Sequence, residues 1–183
     1  ETVALIQPAL KDGDPGVRAA AARALGESGT AGEAARDDLL AALRAEKDPE
    51  AAVAQAWILR KWKVDLTPGL AALRGVIGQP DPFWRYQAAL LLSPYAEVTE
   101  VAPVYLDTVG TWAEKDLRNK PVEVLEDLIP EAGPRLAPIL EAGASRTNAH
   151  QRAAVAKLFS AYRPLPAPGK AVILKLLADP DPV

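Results

Sequence analysis

The sequence predicts an all-α fold, a right-handed α-solenoid of about five helix-turn-helix repeats plus a partial sixth. The first observation is an internal repeat: segments that start at Asp14, Asp48 and Asp81 align without gaps, 34 and 33 residues apart. Such a period is typical of stacked helical pairs. The second is composition, since 49% of the 183 residues are hydrophobic but only 5% are aromatic. Alanine, which favours helices over strands, supplies much of that apolar share.

Each aligned segment carries the signals of a helix start. An Asp comes first, a residue type that accepts hydrogen bonds from the free N–H groups of a helix N-terminus. Proline follows at the first helical position, where its missing N–H costs nothing. Apolar residues then recur at helical spacing, as in Val17, Ala21 and Leu25. A fourth copy begins at Asn148, and Gly26 is expected to end the helix of the first copy.

The segments upstream of these starts are predicted to be the first helices of the pairs. They are Thr2–Lys11, Glu33–Glu46, Pro68–Ile77, Val101–Glu114, Arg135–Ala142 and Pro168–Ala178. A degenerate unit lies between the third and fourth copies, with Asp116 and the segment Pro121–Ile129 in place of the motif. The residues Asp181, Pro182 and Val183 look like the start of another copy.

These signals predict a single domain over residues 1–183. Its repeats are expected at 1–30, 31–64, 65–97, 98–131 and 132–164, with a partial repeat at 165–183. Because the last three residues resemble a new copy, we expect the domain to be part of a longer chain.

The motif Asp-Pro-x-Val-Arg-x-x-Ala-Ala-x-x-Leu-Gly, read from Asp14 to Gly26, resembles the HEAT repeats. It is most similar to the short bacterial type also found around phycobilin lyases. The similarity extends over nearly the whole chain and is clearest in the copies at Asp14 and Asp81. The second copy departs from it, with Ala52 where the family has arginine. The resemblance implies a solenoid in which each helical pair contacts only its neighbours.

Arg18, Arg85 and Arg152 recur at one position, four residues after the helix start. They could form a ladder for phosphates or acidic partners. The interpretation we favour, which the resemblance also implies, is that each guanidinium reaches an acidic or carbonyl group in a neighbouring loop. The aspartates at the helix starts could likewise suggest acid–base or calcium chemistry, but helix capping explains them fully.

Few residues indicate catalysis or metal binding. The sequence contains no cysteine and one histidine, so thiol catalysis and zinc–thiolate sites are excluded and a transition-metal site is not expected. His150 lies near Ser145, but nothing marks an orienting third group or an oxyanion hole. The glycines 26, 29 and 32 follow no strand and are interpreted as an inter-helix turn rather than a phosphate loop. We predict no cofactor and no enzymatic activity.

Apolar and aromatic residues on the second helices are the most informative feature. With the copies in register, the positions two, five and nine residues after the start are predicted to face away from the core. In the second and third repeats five of these six positions are apolar or aromatic, the exception being Glu50. Second helices line the concave surface of such a solenoid, where an exposed apolar patch marks a binding site. With a basic margin at Arg60, Lys61 and Lys63, the predicted partner-binding residues are Val53, Trp57, Arg60, Phe83, Tyr86 and Leu90. The alternative is that the register is off by one and these side chains are core.

The leading functional interpretation is a non-catalytic protein–protein interaction or scaffolding module that binds another protein or a peptide through its concave surface. Alternatives are a structural subunit of a large assembly and, by resemblance, an accessory protein of the chromophore-lyase type. A glycosylase of the HEAT-like DNA-repair class is the least favoured. It would use Trp57, Trp62, Trp84, Asp81 and Arg85, but the net charge of −3 speaks against nucleic-acid binding.

No apolar segment is long enough to span a membrane. We expect a soluble protein and slightly favour the cytoplasm. The sequence leaves the oligomeric state open.

Overall fold

The computed structural model describes residues 2–112 and 119–179, and within these ranges the chain forms helices joined by turns, with no strand. The helices group into two compact units, Glu1–Tyr95 and Ala96–Val183. Unit 1 contains α1 (Thr2–Ile6), α2 (Pro15–Glu27), α3 (Arg36–Ala45), α4 (Pro49–Lys61), α5 (Leu70–Ile77) and α6 (Pro82–Leu92). Unit 2 contains α7 (Val98–Thr108), α8 (Lys120–Gly143), α9 (Ala149–Ala161) and α10 (Ala167–Leu177). The predicted all-α helical-repeat class is therefore confirmed, whereas the single-domain organisation stays a prediction.

The second helices begin where the motif predicts. The Asp14 carboxylate accepts a hydrogen bond from the N–H of Gly16 at 2.7 Å, and the Asp48 carboxylate accepts one from Ala51 at 3.0 Å. Asp81 caps α6 and Asn148 caps α9 in the same way. Each side chain thus satisfies N–H groups that the first turn leaves unpaired.

Gly26 does not end α2, as the sequence suggests, because the helix continues to Glu27. The glycine instead permits a close approach between two second helices. A Cβ built at this position would lie 2.3 Å from the Cδ1 of Ile58 on α4. Glycine is therefore needed at this position of the motif for helix packing. It lets α2 and α4 approach each other closely.

The first helices of unit 1 are shorter than predicted, and 3₁₀ turns precede or follow them. Thr2–Lys11 is α1 followed by a 3₁₀ helix from Gln7 to Lys11, and Glu33–Glu46 begins inside a 3₁₀ helix over Gly29–Ala35. Gly32 explains the second case, since a Cβ there would lie 2.0 Å from a backbone oxygen of α2. Gly29 and Gly32 thus lie in a tight inter-helix connection, in keeping with the interpretation as a turn, whereas Gly26 belongs to α2.

The core of unit 1 combines leucines from the first helices with alanines from the second. Fully buried leucines include Leu39 and Leu43 of α3 and Leu73 of α5. On the second helices the buried positions are largely alanine, among them Ala19, Ala22, Ala51, Ala52, Ala56, Ala88 and Ala89. Small side chains let the axes of α2, α4 and α6 approach closely, and this alignment forms the surface described below.

Gly75 gives a test of local helix energetics in α5. It lies inside the helix, and a Cβ there would meet nothing within 4 Å. Gly75→Ala is expected to raise the free energy of unfolding by about 0.5–1 kcal/mol, because alanine loses less backbone entropy in a helix. Urea denaturation measures the change. Gly13→Ala, equally uncrowded but outside any helix, is the control, and a Gly75→Ala variant no more stable than this control would contradict the expectation.

Unit 2 differs from the sequence prediction at its centre. The predicted second helix Pro121–Ile129 and first helix Arg135–Ala142 are two parts of one continuous helix, α8. Pro130, Pro134 and Pro138 lie inside it on an exposed face. Water can bond the carbonyls that these prolines leave without an N–H partner, so the helix continues through them.

The bounds of the two other predicted first helices in unit 2 are closer to the prediction. The predicted Val101–Glu114 helix is α7, which begins three residues earlier and stops at Thr108, shortly before Gly110 with a φ of 71°. The predicted Pro168–Ala178 helix is α10, displaced by one residue. Glu114, Asp116 and the final motif at 181–183 lie outside the described residues.

Candidate partner-binding groove

An open groove crosses the second helices of unit 1, with a volume of about 290 Å³. Helix α4 supplies its floor, because α4 packs against α2 on one side and α6 on the other. The lining side chains are Arg23, Val53, Ala54, Trp57, Ile58, Phe83, Trp84 and Gln87. We call this surface the α4 groove.

Trp57 is held in place by a polar contact across the groove. Its indole Nε1 donates a hydrogen bond to Oε1 of Gln87 on α6 at 3.1 Å. The guanidinium of Arg60 lies 5.1 Å from the centroid of the indole ring, within the range of a cation–π contact. Arg60 also donates through Nη1 to the carbonyl of Leu90 at 3.3 Å. An aromatic face and an exposed cation are therefore fixed together at one edge of the groove.

An aromatic pair and the arginine of an ion pair also line the groove. Phe83 is 38% exposed, and its ring meets that of Trp84 edge-to-face with centroids 4.8 Å apart. Arg23 pairs with Glu50 at 2.6 Å, and both side chains are about half exposed. The lining thus includes an accessible aromatic ring and a charge that is already neutralised.

Of the predicted partner-binding residues, Val53, Trp57 and Phe83 line the α4 groove. Arg60 stacks on the Trp57 ring and donates a hydrogen bond to the backbone carbonyl of Leu90. The expectation that Val53 and Tyr86 are outward-facing is wrong: they are 3% and 7% exposed. They share the position five residues after the helix start with the fully buried Ala19, so this position faces the core in all three copies of unit 1. Val53 still forms part of the groove floor, whereas Tyr86 does not line it.

The positions two and nine residues after the start are accessible, as the register predicts. The residues are Gly16, Glu50 and Phe83 at the first position, and Arg23, Trp57 and Leu90 at the second. Sequence reasoning missed Gln87, the partner of the Trp57 indole. A single amide in an otherwise apolar stretch of α6 was the available signal, but its partner lies 30 residues away.

The arginines four residues after the helix start have the structural role favoured above. Arg18 makes a bidentate contact with Glu46, both bonds being 2.7 Å, and its Nη1 donates to the carbonyls of Asp12 and Gly13. Arg85 donates to the carbonyl of Ile77 at 3.0 Å. We call the Arg18–Glu46 arrangement, with its two backbone carbonyls, an arginine clamp.

Unit 2 repeats the arginine clamp independently. Arg152 pairs with Asp179, with a bond of 2.8 Å from Nη2, and its Nη1 donates to the carbonyls of Arg146 and Thr147. The same geometry recurs in two separate units at equivalent motif positions. This recurrence shows that the arginine acts on the neighbouring loop and helix end.

Glu46 is buried at the centre of its clamp. Burial raises the pKa of Glu46, but the hydrogen bond from Arg18 and the backbone N–H groups of Asp48 and Lys47 outweigh it and lower the pKa to about 2. The Gln55 side-chain amide donates a further bond at 3.2 Å. The carboxylate is therefore ionised at neutral pH and is occupied by structural contacts.

A second groove, of about 560 Å³, lies in unit 2. Prolines and aliphatic side chains form most of its lining, which consists of Ile129, Pro130, Gly133, Pro134, Ala161, Tyr162, Arg163, Pro164, Leu165 and Pro166. Its one charged lining residue, Arg163, donates to the carbonyls of Ser160 and Tyr162. The one aromatic ring in this lining, Tyr162, is buried, whereas Phe83 of the α4 groove is 38% exposed.

Catalytic and metal-binding arrangements are not evident in the described part of the chain. No group of three His, Asp or Glu side chains there could hold a metal ion. His150 packs against Gly110, where a Cβ would lie 2.6 Å from the histidine Cβ. None of the helices in residues 2–112 and 119–179 has the length and apolar character needed to cross a bilayer.

Helical pairs with capped second helices and arginine clamps define an all-α helical-repeat protein. The family model described as HEAT repeats matches residues 1–60, the first two repeats of unit 1. No curated protein and no solved structure matches the chain significantly. The HEAT-repeat resemblance of the motif is thereby confirmed, while the short bacterial subtype stays a prediction.

Proposed function

We propose that the chain is a non-catalytic interaction module that binds a segment of another protein in the α4 groove. The observation that carries the proposal is the pair of accessible aromatic side chains, Trp57 and Phe83, on second helices whose other apolar positions are largely buried. Aromatic side chains at the edge of a groove are the usual anchors of protein interfaces. HEAT repeats commonly mediate protein–protein interaction or scaffolding, which agrees with this role.

The residues of the glycosylase alternative have other roles here. Asp81 caps α6 and Arg85 donates to a backbone carbonyl of its own unit. Trp62 is not among the residues that line the α4 groove. No observation favours this alternative or the chromophore-lyase one, and a structural role in an assembly would use the same surface.

Phe83→Ala is the most direct test of this function. We expect the variant to remain folded, because the ring is partly exposed, and to lose a partner that the wild-type chain captures from its native lysate. Affinity capture followed by mass spectrometry measures the loss, and circular dichroism checks the fold.

Leu165→Ala is the matched control, since Leu165 is 41% exposed and lines the groove of unit 2. It should capture the same partner as the wild type. Capture that survives Phe83→Ala but disappears with Leu165→Ala would move the binding site to unit 2 and refute the proposal. Equal capture by all three proteins would refute it as well.

A further inference from the structure

We propose that the segment bound by the α4 groove is an acidic peptide with one apolar anchor, whose side chain enters the groove while a flanking carboxylate pairs with Arg60. This inference rests on the proposed function and adds the chemistry of the partner. It is carried by the size of the groove and by the charges around it.

The size of the groove favours one side chain over a cofactor. Pockets for small molecules usually span roughly 300–1,000 Å³, and the α4 groove, at about 290 Å³, is at the lower end and open to solvent. The floor of Val53 and Ala54 and the ring of Phe83 present apolar surface to its contents. A single aliphatic or aromatic side chain of a peptide matches these dimensions.

Arg60 supplies the positive charge that attracts the carboxylate beside the apolar anchor of the peptide. It is exposed, lies over the Trp57 ring and donates to one backbone carbonyl. In the part of the chain that the structure describes, no carboxylate pairs with it. By contrast, Arg18 and Arg23 pair with Glu46 and Glu50. Its guanidinium therefore keeps an uncompensated charge and N–H groups that suit a carboxylate.

The lining of the groove adds no negative charge that would offset Arg60. The residues that line it include no acid. Lys61, although next in sequence, donates to the carbonyl of Gly26 on α2 and is not part of this edge. The Glu50 carboxylate, on the first turn of α4, is engaged by Arg23. Basic residues also suit the C-terminus of a helix such as α4, but the contact with Trp57 places Arg60 beside the apolar site. An acidic flank is thus attracted where a basic flank is repelled.

The test uses three fluorescein-labelled peptides that share one central leucine in a Gly/Ser background. Their flanks carry Glu, Gln or Lys. Fluorescence anisotropy with the 183-residue chain should rank the affinities Glu above Gln above Lys. Arg60→Gln should weaken the Glu peptide by about fivefold, the scale of an exposed ion pair, and leave the Gln peptide unchanged. Arg44→Gln, which removes an exposed arginine of α3 outside the groove, is the matched control.

Phe83→Ala separates this inference from the proposed function. It should weaken the Glu and Gln peptides alike, because it removes the anchor contact. If Glu and Lys peptides bind equally, or if Arg60→Gln and Arg44→Gln have the same effect, the acidic flank is refuted. A Phe83-dependent capture of the lysate partner would in that case still support the groove. If no peptide binds the folded chain, the acidic-peptide inference is overturned, and the lysate capture reports on the proposed function separately.

Discussion

Glu46→Ala is expected to lower the free energy of unfolding by about 3–5 kcal/mol, the usual effect of removing one member of a buried ion pair. The Glu46 side chain is 3% exposed, and it accepts bonds from Arg18, from two backbone N–H groups and from Gln55. Its removal leaves the Arg18 guanidinium, 19% exposed, without its bidentate carboxylate partner. Urea denaturation at neutral pH measures the loss.

Glu50→Ala provides the control for this variant. Glu50 also pairs with an arginine of α2, but both side chains are about half exposed. An exposed pair contributes about 0–1 kcal/mol, so this variant should be close to the wild type. Equal destabilisation by the two substitutions would show that the clamp stabilises no more than a surface contact.

The pH dependence of the same pair has a definite sign. The pKa of Glu46 is about 2 in the folded chain, below its ordinary value of 4.5. The stabilising contribution is therefore complete above pH 4.5 and is lost as the pH falls towards 2. We expect the gap in stability between the wild type and Glu46→Ala to narrow over this interval. A gap that stays constant would mean that the charge of Glu46 contributes nothing.

Tyr86→Ala is expected to destabilise the chain by about 3–5 kcal/mol, as the truncation of a buried aromatic side chain does. Tyr86 is 7% exposed and belongs to the buried face of α6, so its removal leaves a cavity. The midpoint of thermal unfolding, or of urea denaturation, should fall sharply. This outcome would make Tyr86→Ala unsuitable as a probe of binding, although its position in the motif suggested that use.

Phe83 lies on the same helix, three residues earlier, and serves as the matched control. Because its ring is 38% exposed, Phe83→Ala should cost about 1 kcal/mol or less. If Tyr86→Ala proved as mild as Phe83→Ala, the assignment of Tyr86 to the core would be wrong. The two variants thus separate a core aromatic from a groove aromatic on one helix.

The sequence predicted the second helices that carry the motif well, because their signals are local. An Asp or Asn cap, a proline at the first helical position and apolar spacing all act within one or two turns, and the caps at Asp14, Asp48, Asp81 and Asn148 formed as expected. The first helices were predicted less well. Their limits depend on close contacts, as at Gly32, and on solvent exposure, as along the prolines of α8.

The side chains of the α4 groove were likewise predicted only where the signal is local. Positions two and nine of the motif could be assigned to the accessible side, but Val53 and Tyr86 could not be separated from them by residue type. Both are large and apolar, and their burial depends on how α4 and α6 pack in the unit. The contact between Trp57 and Gln87 also spans two repeats, and no local pattern encodes it.

The arginine clamp has a consequence for how such an array can grow. Arg18 and Glu46 are 28 residues apart, and Arg152 and Asp179 are 27 apart, so each clamp joins the second helix of one pair to the end of the next first helix. The two halves of a clamp therefore belong to successive repeats. Tandem duplication of a whole repeat creates one new clamp at the new junction without any further change. A duplication that truncates the first helix before its acidic end loses that clamp, so selection for stable junctions would preserve the length of the repeat itself.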